Sequence, residues 1–310
     1  MKSDRQKFFD IFDAIDFHKI IDHPNILIAA RFWEEERYEA AKTCYKFMRS
    51  IDDLIDNYKA ENKVIAPADR KGFSADVNDW INIIRNSSLD NPLQIELSGC
   101  IEKFRIPHWP LEAFAKSMLY DINNDGFATL NDFIDYSQGA SVAPASIFVH
   151  LNSISEKDGK YFVPPFDVRD AATPCAIFSY LVHVIRDFQK DQLNNLNYFA
   201  DDLILKNNLT RNELQEIAHG KKATADFRNL IRIYHSLADE YRVKTHKKIE
   251  EIRPFLEPGY QLSLEIIFSL YLVVFERIDL NKGSFTTEEL NPTPEETKER
   301  VYQTIINFTK

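Results

Sequence analysis

Two short stretches of the sequence place paired aspartates at the spacing of one helical turn, each pair after an arginine. The first stretch runs from Arg49 to Asp56 and the second from Arg186 to Asp191. The paired residues are Asp52 and Asp56 in the first stretch and Asp187 and Asp191 in the second. Positions i and i+4 lie on one face of a helix, so each pair presents two carboxylates to a common point. Two such pairs facing each other would form a cage for hard cations.

A single Asp-x-x-x-Asp pair usually lies on a solvated helix face, and this alternative applies to each motif alone. Both motifs, however, lie on a polar stripe opposite an apolar one. The polar stripes are Tyr45, Arg49, Asp52 and Asp56 in the first helix and Tyr180, His183, Asp187 and Asp191 in the second. The apolar stripes are Phe47, Ile51, Leu54, Ile55 and Tyr58, and Ile177, Leu181, Val184, Ile185 and Phe188. Because the layout occurs twice within apolar helices, we favour a shared site.

Carboxylate pairs on facing helices serve two common chemistries. Di-iron and di-manganese oxidases use Glu-x-x-His pairs, a motif that this sequence lacks. In Mg²⁺-assisted diphosphate chemistry, carboxylates hold the metal and the metal holds phosphate oxygens. Arg49 and Arg186 adjoin the carboxylates and would complete an anion clamp, and the apolar surroundings would shelter a hydrocarbon chain. The sequence therefore favours the second chemistry.

The composition predicts an all-α protein with one domain over residues 1–310. The chain has 8 glycines among 310 residues, 44% of its residues are hydrophobic, and no strand-like alternation persists. No internal repeat or low-complexity linker divides it. The predicted helices span residues 5–21, 34–58, 69–86, 93–104, 110–122, 130–151 (interrupted near Gly139 and Pro144), 168 or 171–196, 211–219, 223–252, 260–280 and 294–308. Residues 154–168 and 198–208 are predicted to be irregular, and residues 86–92 a turn.

Residues 121–126 have the alternating acids and amides of a calcium-binding loop. Asp132, however, stands where such a loop carries a bidentate glutamate. A turn between two helices is the favoured interpretation.

The charge balance and the cysteines restrict the class of protein. The formal charge of −10 opposes nucleic-acid binding, because no long cluster of Lys and Arg is present. The three cysteines have no metal-type spacing, which is typical of a reducing compartment. The N-terminus lacks a signal-peptide pattern, and the apolar stretch 262–275 contains Glu265 and is shorter than the ~20 residues that span a bilayer. We expect a cytoplasmic protein, and peripheral contact with membranes is left open.

The acidic stretches resemble the motifs of one enzyme family. Residues 45–56 resemble the Y-x-x-x-R-x-x-D-D-x-x-D motif of squalene and phytoene synthases, the head-to-head trans-prenyltransferases, and residues 184–191 resemble their R-D-x-x-x-D motif. Residues 114–121, residues 133–136 with Gly139, and Tyr271 with Ile278 extend the similarity over nearly the whole chain.

The resemblance implies an all-α isoprenoid-synthase fold with a central cavity and a transferase that uses farnesyl or geranylgeranyl diphosphate with Mg²⁺. It implies that Asp52, Asp56, Asp187 and Asp191 bind the metal. It also implies that Arg49 and Tyr136 contact the diphosphate or organise its surroundings, and that Tyr198 lies near the leaving group. The remaining candidate substrate-binding residues are Tyr45, Tyr180, His183 and Arg186. No dinucleotide fingerprint supports the use of NADPH.

Several positions depart from the family pattern close to the expected chemistry. Tyr180 and His183 replace the usual Gln and Asn, Leu196 replaces an Arg, and Asn25-Ile26 replaces Ser-Phe. His183 is a candidate nitrogen ligand, although imidazole is softer than Mg²⁺ prefers, and a hydrogen-bonded interior histidine is the alternative. Three functions stay open: an altered or half reaction, ordinary squalene or phytoene synthesis, and a non-catalytic paralogue that binds an isoprenoid or a partner protein.

Overall fold

The computed structural model describes residues 4–19, 24–62, 65–86 and 92–308, and these residues are mostly helical. The α-helices are α1 (Asp4–Asp13), α2 (Pro24–Ala30), α3 (Glu35–Asn62), α4 (Pro67–Asn86), α5 (Pro92–Phe104), α6 (His108–Asn123), α7 (Leu130–Ser137), α8 (Ala143–Ser153), α9 (Val168–Arg186), α10 (Phe188–Leu193), α11 (Asp201–Lys206), α12 (Arg211–Ala218), α13 (Ala225–Ile252), α14 (Pro258–Phe275), α15 (Thr287–Leu290) and α16 (Pro294–Phe308). A π-helix covers Gln138–Val142 and a 3₁₀ turn covers Arg253–Phe255. The prediction of an all-α fold is confirmed.

Helix α9 lies at the centre of the bundle and carries the start of the second acidic motif. It packs along α13 and also contacts α8 and α14. Its predicted apolar stripe is buried, since Ile177, Leu181 and Ile185 have no exposed surface. On α3 the stripe is buried at Phe47 and Ile51 but not throughout, because Leu54 is exposed. Burial of one stripe fixes the rotation of each helix and turns its acidic face toward the neighbouring helices.

A π-helix divides the predicted helix 130–151 near Gly139, as the sequence suggested. A Cβ atom on Gly139 would lie 1.9 Å from Oγ of Ser117 and 2.5 Å from the carbonyl oxygen of Ala113. Only glycine therefore permits this approach to α6. The extra residue of a π-turn also rotates the flanking helices relative to each other, and α7 carries Tyr136 just before the turn.

Asp187 lies at a break between α9 and α10, whereas the periodicity predicts one helix to residue 196. Its backbone is not helical (φ −90°, ψ 2°). Even so, the amide of Asp187 donates to the carbonyl of His183, and the amide of Asp191 donates to the carbonyl of Asp187, both at 2.8 Å. The two aspartates therefore remain one turn apart.

Two distant segments fix the short helix α10. The Gln189 side-chain amide donates to the carbonyl of Ala218 at 3.2 Å, where α12 ends. The amide of Thr287, the first residue of α15, donates to Oε1 of Gln189 at 2.9 Å. The second motif is thus oriented by contacts from much later in the chain.

The structure corrects several predicted element boundaries. Helix α1 ends at Asp13, α14 ends at Phe275, and α11 lies within a segment predicted to be irregular. An antiparallel hairpin of β1 (Ser155–Lys157) and β2 (Lys160–Phe162) occupies part of the predicted loop 154–168. Its turn is formed by Asp158 and Gly159, both with positive φ, which is a common two-residue hairpin turn.

The segment with calcium-loop spacing is a turn between α6 and α7, as favoured. Asp132 forms a capping box with Thr129 at the start of α7, so its carboxylate accepts a hydrogen bond from the backbone amide of Thr129. The predicted turn at 86–92 lies largely outside the described residues.

Helix α14 is, among the described helices, the one long and apolar enough to cross a membrane. Half of it is buried inside the protein, where it packs against α16, α2 and α9. These are the contacts of a core helix.

Candidate active site

The first acidic motif projects from α3, and an arginine holds part of it. Nη1 of Arg49 donates to Oδ2 of Asp52 at 2.8 Å, and Nη2 of Arg49 contacts Asp53. Burial, followed by the negative charge of Asp56, raises the pKa of Asp52 to about 7. A raised carboxyl pKa means that nearby positive charges and hydrogen bonds do not offset the cost of burying the ionised form. A bound cation would supply the missing positive charge.

Asp56, one turn later on α3, lies beside a carboxylate from α6. Burial, followed by the charge of Asp121, raises the pKa of Asp56 to about 6. Asp121 is itself shifted to a pKa of about 6, chiefly by burial. Nζ of Lys59 lies 3.9 Å from Oδ1 of Asp121, and it donates to the carbonyl of Asn124 at 3.2 Å. The first motif thus continues onto a third helix.

Asp121 and Lys59 are members of the site that sequence reasoning did not assign to it. Lys59 has a local signal, because it lies three positions after Asp56 and seven after Asp52, on the same helical face. Asp121 ends the segment 114–121 that resembles the family's middle segment, but its place beside Lys59 depends on how α6 packs against α3.

The second motif meets the first at Asp191. Nε and Nη2 of Arg186 donate to the two carboxylate oxygens of Asp187 at 2.9 and 2.6 Å. Burial, then the charge of Asp187, then that of Asp56, raises the pKa of Asp191 well above its usual value. The side chain of Asn195 also donates to the carbonyl of Ala60 on α3 at 3.3 Å. The two motifs therefore lie on opposite sides of one site.

Tyrosine side chains line the site between the motifs. The ring of Tyr180 lies 6.4 Å from that of Tyr136 and 6.2 Å from that of Tyr198, centroid to centroid. Burial raises the pKa of Tyr198 well above its usual value, and the charge of Asp56 adds to the shift. These hydroxyls stay protonated at neutral pH and can donate hydrogen bonds.

A small polar cavity opens beside the first motif. Its lining includes the charged residues Asp56, Lys59, Asp121 and Asp125 together with Leu196, Asn197 and Tyr198. Here Leu196 occupies the position where the family pattern predicts a cation.

A larger, apolar cavity lies between α8, α9, α13 and α14. Small side chains, including Ala172, Ala176 and Ser179, line it along α9. Their face continues through His183, whose ring lies 5.3 Å from that of Tyr271, another lining residue. Since 172, 176, 179, 183 and 187 lie on one helical face, α9 leads from the apolar cavity to the second motif.

The other predicted substrate-binding residues have less defined roles. Tyr45 is partly buried on α3, one turn before Arg49. His183 is partly buried between the apolar cavity and Asp187. Their assignment stays a prediction.

The donor atoms of the site suit Mg²⁺, which takes oxygen ligands. Seven carboxylates lie in this region, and four described cations contact them. The carboxylates are Asp52, Asp53, Asp56, Asp121, Asp125, Asp187 and Asp191, and the cations are Arg49, Lys59, Arg186 and Arg211. Within the described ranges, no three His, Cys, Asp or Glu side chains are grouped closely enough to hold an ion alone.

Several solved structures have folds similar to that of this chain. A dehydrosqualene synthase in complex with ligand aligns with a TM-score of 0.71 at 14% identity, covering 98% of each chain. Squalene synthase HpnC from Alicyclobacillus acidocaldarius aligns with a TM-score of 0.62 at 12% identity, covering 86% of this chain and 91% of that one. YisP from Bacillus subtilis subsp. subtilis strain 168 aligns with a TM-score of 0.61 at 12% identity, covering 97% and 99%. The fold is the all-α isoprenoid-synthase fold.

A comparison with curated proteins gave no match. The sequence model of the squalene/phytoene synthase family, in contrast, matches residues 23–296. The chain belongs to this family, and family and fold together indicate a prenyltransferase-type enzyme. Isoprenoid diphosphates are the general class of substrate that the family suggests.

Proposed function

We propose that the protein is a Mg²⁺-dependent prenyltransferase that acts on farnesyl or geranylgeranyl diphosphate. The observation that supports this most is the meeting of two acidic motifs, through Asp56 and Asp191, at the end of a helix that also lines an apolar cavity. A diphosphate with a long hydrocarbon chain needs both environments at once.

The proposed metal ligands are the four motif aspartates, with His183 as a further candidate. Asp52 and Asp56 would act from α3, and Asp187 and Asp191 from the end of α9 and from α10. When bound, Mg²⁺ would stabilise negative charge on the departing diphosphate as a Lewis acid. The raised pKa values of Asp52, Asp56 and Asp191 indicate that these carboxylates gain from a nearby cation.

The two arginines are suited to binding phosphate. Each now pairs with an aspartate of its own motif, and a guanidinium binds phosphate oxygens in the same forked geometry as a carboxylate. When the aspartates bind the metal, Arg49 and Arg186 would therefore release them and bind phosphate oxygens instead. Tyr198 would donate from the polar cavity to the leaving diphosphate.

The apolar cavity would hold the prenyl chain and exclude water from the allylic cation. The aromatic faces of Tyr136 and Tyr180 lie between the motifs, where they can stabilise positive charge. The departures at His183 and Leu196 place any change from ordinary squalene or phytoene synthesis on the second motif.

Incubation of the purified protein with Mg²⁺ and each diphosphate, followed by analysis of lipids and released pyrophosphate, tests the proposal. We expect Asp52→Ala and Asp187→Ala to reduce turnover by about 100-fold or more. Asp79→Ala, on the exposed surface of α4, is the matched control. Absence of wild-type turnover with either substrate, together with absence of Mg²⁺-dependent binding, would refute the proposal. Binding without turnover would instead support a non-catalytic paralogue.

A further inference from the structure

Lys59 is a buried lysine in the wall of the polar cavity. It has 6% of its surface exposed, and lysine is rarely buried unless it is paired. Its position on α3 places the ammonium group 3.9 Å from Asp121, in a cavity that Asp56 also lines. The family motifs discussed above do not include this position.

The described partners of Lys59 leave its ammonium group with donor capacity. One hydrogen bond goes to the carbonyl of Asn124. The 3.9 Å separation from Asp121 is an ion pair but exceeds a hydrogen-bond distance. An ammonium has three protons to donate, so Lys59 can also donate to an anion that enters the cavity.

The rest of the cavity lining supplies no cation. Leu196, Asn197 and Tyr198 belong to it, and none of them carries a positive charge. Among the described residues that line the cavity, Lys59 is the cationic one. A diphosphate oxygen entering here would meet three carboxylates, those of Asp56, Asp121 and Asp125, and one ammonium group, that of Lys59, which attracts it. Of the three carboxylates, Asp125 is already paired with Arg211.

We propose that Lys59 binds the diphosphate of the substrate and supplies, from α3, the positive charge that Leu196 cannot provide. This inference rests on the proposed function, because it assumes a diphosphate in the site. The alternative is that Lys59 only neutralises Asp121 and keeps α3 and α6 together.

Binding of inorganic pyrophosphate in the presence of Mg²⁺, measured by calorimetry, separates the two roles. We expect Lys59→Met to weaken binding by about tenfold to hundredfold. Lys59→Arg should stay within a few-fold of wild type. Lys46→Met, an exposed lysine on the same helix, is the control and should bind as wild type does.

A double variant protects the test against misfolding, because Lys59→Met leaves the Asp121 charge unpaired. In Lys59→Met/Asp121→Asn both charges are absent, and thermal melting verifies that the protein is folded. If Lys59 binds pyrophosphate, the double variant stays weak, and adding Leu196→Arg to Lys59→Met restores affinity. If the double variant binds as tightly as wild type, Lys59 is a structural neutraliser and the inference is wrong.

The inference and the proposed function fail in different ways. A wild-type protein that turns over prenyl diphosphate while Lys59→Met binds pyrophosphate unchanged overturns only the role of Lys59. A wild-type protein that neither binds pyrophosphate nor turns over prenyl diphosphate overturns both.

Discussion

The hydroxyl of Tyr136 donates to Oδ2 of Asp121 across 2.5 Å, joining α7 to α6 in the wall of the acidic site. Asp121 in turn raises the pKa of Asp56, after the larger effect of burial. Tyr136 is thereby connected to Asp56 of the first acidic motif through the carboxylate of Asp121. Asp121 belongs to neither acidic motif.

Tyr136→Phe removes this hydrogen bond, and we expect both stability and turnover to fall. Losing a partner of a buried carboxylate costs about 1–3 kcal/mol of unfolding free energy. Because the hydrogen bond lowers the pKa of Asp121, its loss should raise that pKa further. The measurements are thermal unfolding and initial rate. Tyr120→Phe is the control, since the Tyr120 hydroxyl donates to the carbonyl of Gly126. An equal loss of rate in both variants would contradict a special role for Tyr136.

Stability without metal should fall as pH rises from about 4 to about 7. The carboxyl pKa values of Asp52, Asp56 and Asp121 are raised to about 7, 6 and 6 from an ordinary value of 3.8. Between the unfolded and folded pKa values the native state holds more protons, so each pH increase favours the unfolded state. The full destabilisation is present above the folded pKa.

Mg²⁺ should reverse this trend, because it binds the ionised carboxylates and releases their protons. The check is unfolding at pH 5, 6, 7 and 8 with and without Mg²⁺, and with calcium as a second hard cation. A melting temperature that is insensitive to Mg²⁺ at pH 8 would count against the proposed metal ligands.

Gly139→Ala should destabilise the fold by about 1–3 kcal/mol, because the new methyl group collides with α6. Gly99→Ala, on α5, should be neutral or stabilising by up to about 1 kcal/mol, since no atom lies within 4 Å of its added Cβ. Denaturant unfolding of the two variants gives the comparison. If Gly139→Ala were as stable as Gly99→Ala, the close approach of the π-helix to α6 would be wrong.

Filling the apolar cavity should change which chain length is accepted. Ala176 lines it on α9, and Ala176→Leu removes part of the space for the hydrocarbon. We expect kcat/KM for geranylgeranyl diphosphate to fall more than that for farnesyl diphosphate, because the shorter chain needs less volume. General damage to the protein would lower both kcat/KM values by the same factor, so their ratio controls for it. An unchanged ratio would place the prenyl chain elsewhere.

Much of the helical fold could be predicted because the sequence pattern of each helix is local. The apolar stripe of α9 is buried at Ile177, Leu181 and Ile185, and periodicity alone indicated that face. The hairpin at Asp158-Gly159 also had a local signal, an Asp-Gly turn, within the segment 154–168 that was predicted to be irregular. The exposed Leu54 shows the limit of the same reasoning, because exposure depends on whether another helix covers that position.

The remaining features depend on contacts between distant parts of the chain. Asp121 joins the site through the packing of α6 against α3. The break at Asp187 accompanies the attachment of α10 to later elements, and a helical pattern that continues to Leu196 contains no sign of it. The assignment of metal ligands, the cytoplasmic location and peripheral membrane contact stay predictions.

The hydrogen bond from Thr287 to Gln189 spans 98 positions of sequence. Through it, the C-terminal region helps to hold the second acidic motif in position. A chain that ends before Thr287 keeps every residue of that motif but loses one of the two hydrogen bonds of the Gln189 side chain. Such a truncation also removes the packing of α16 against α14, so a loss of activity would require no chemical role for the removed residues.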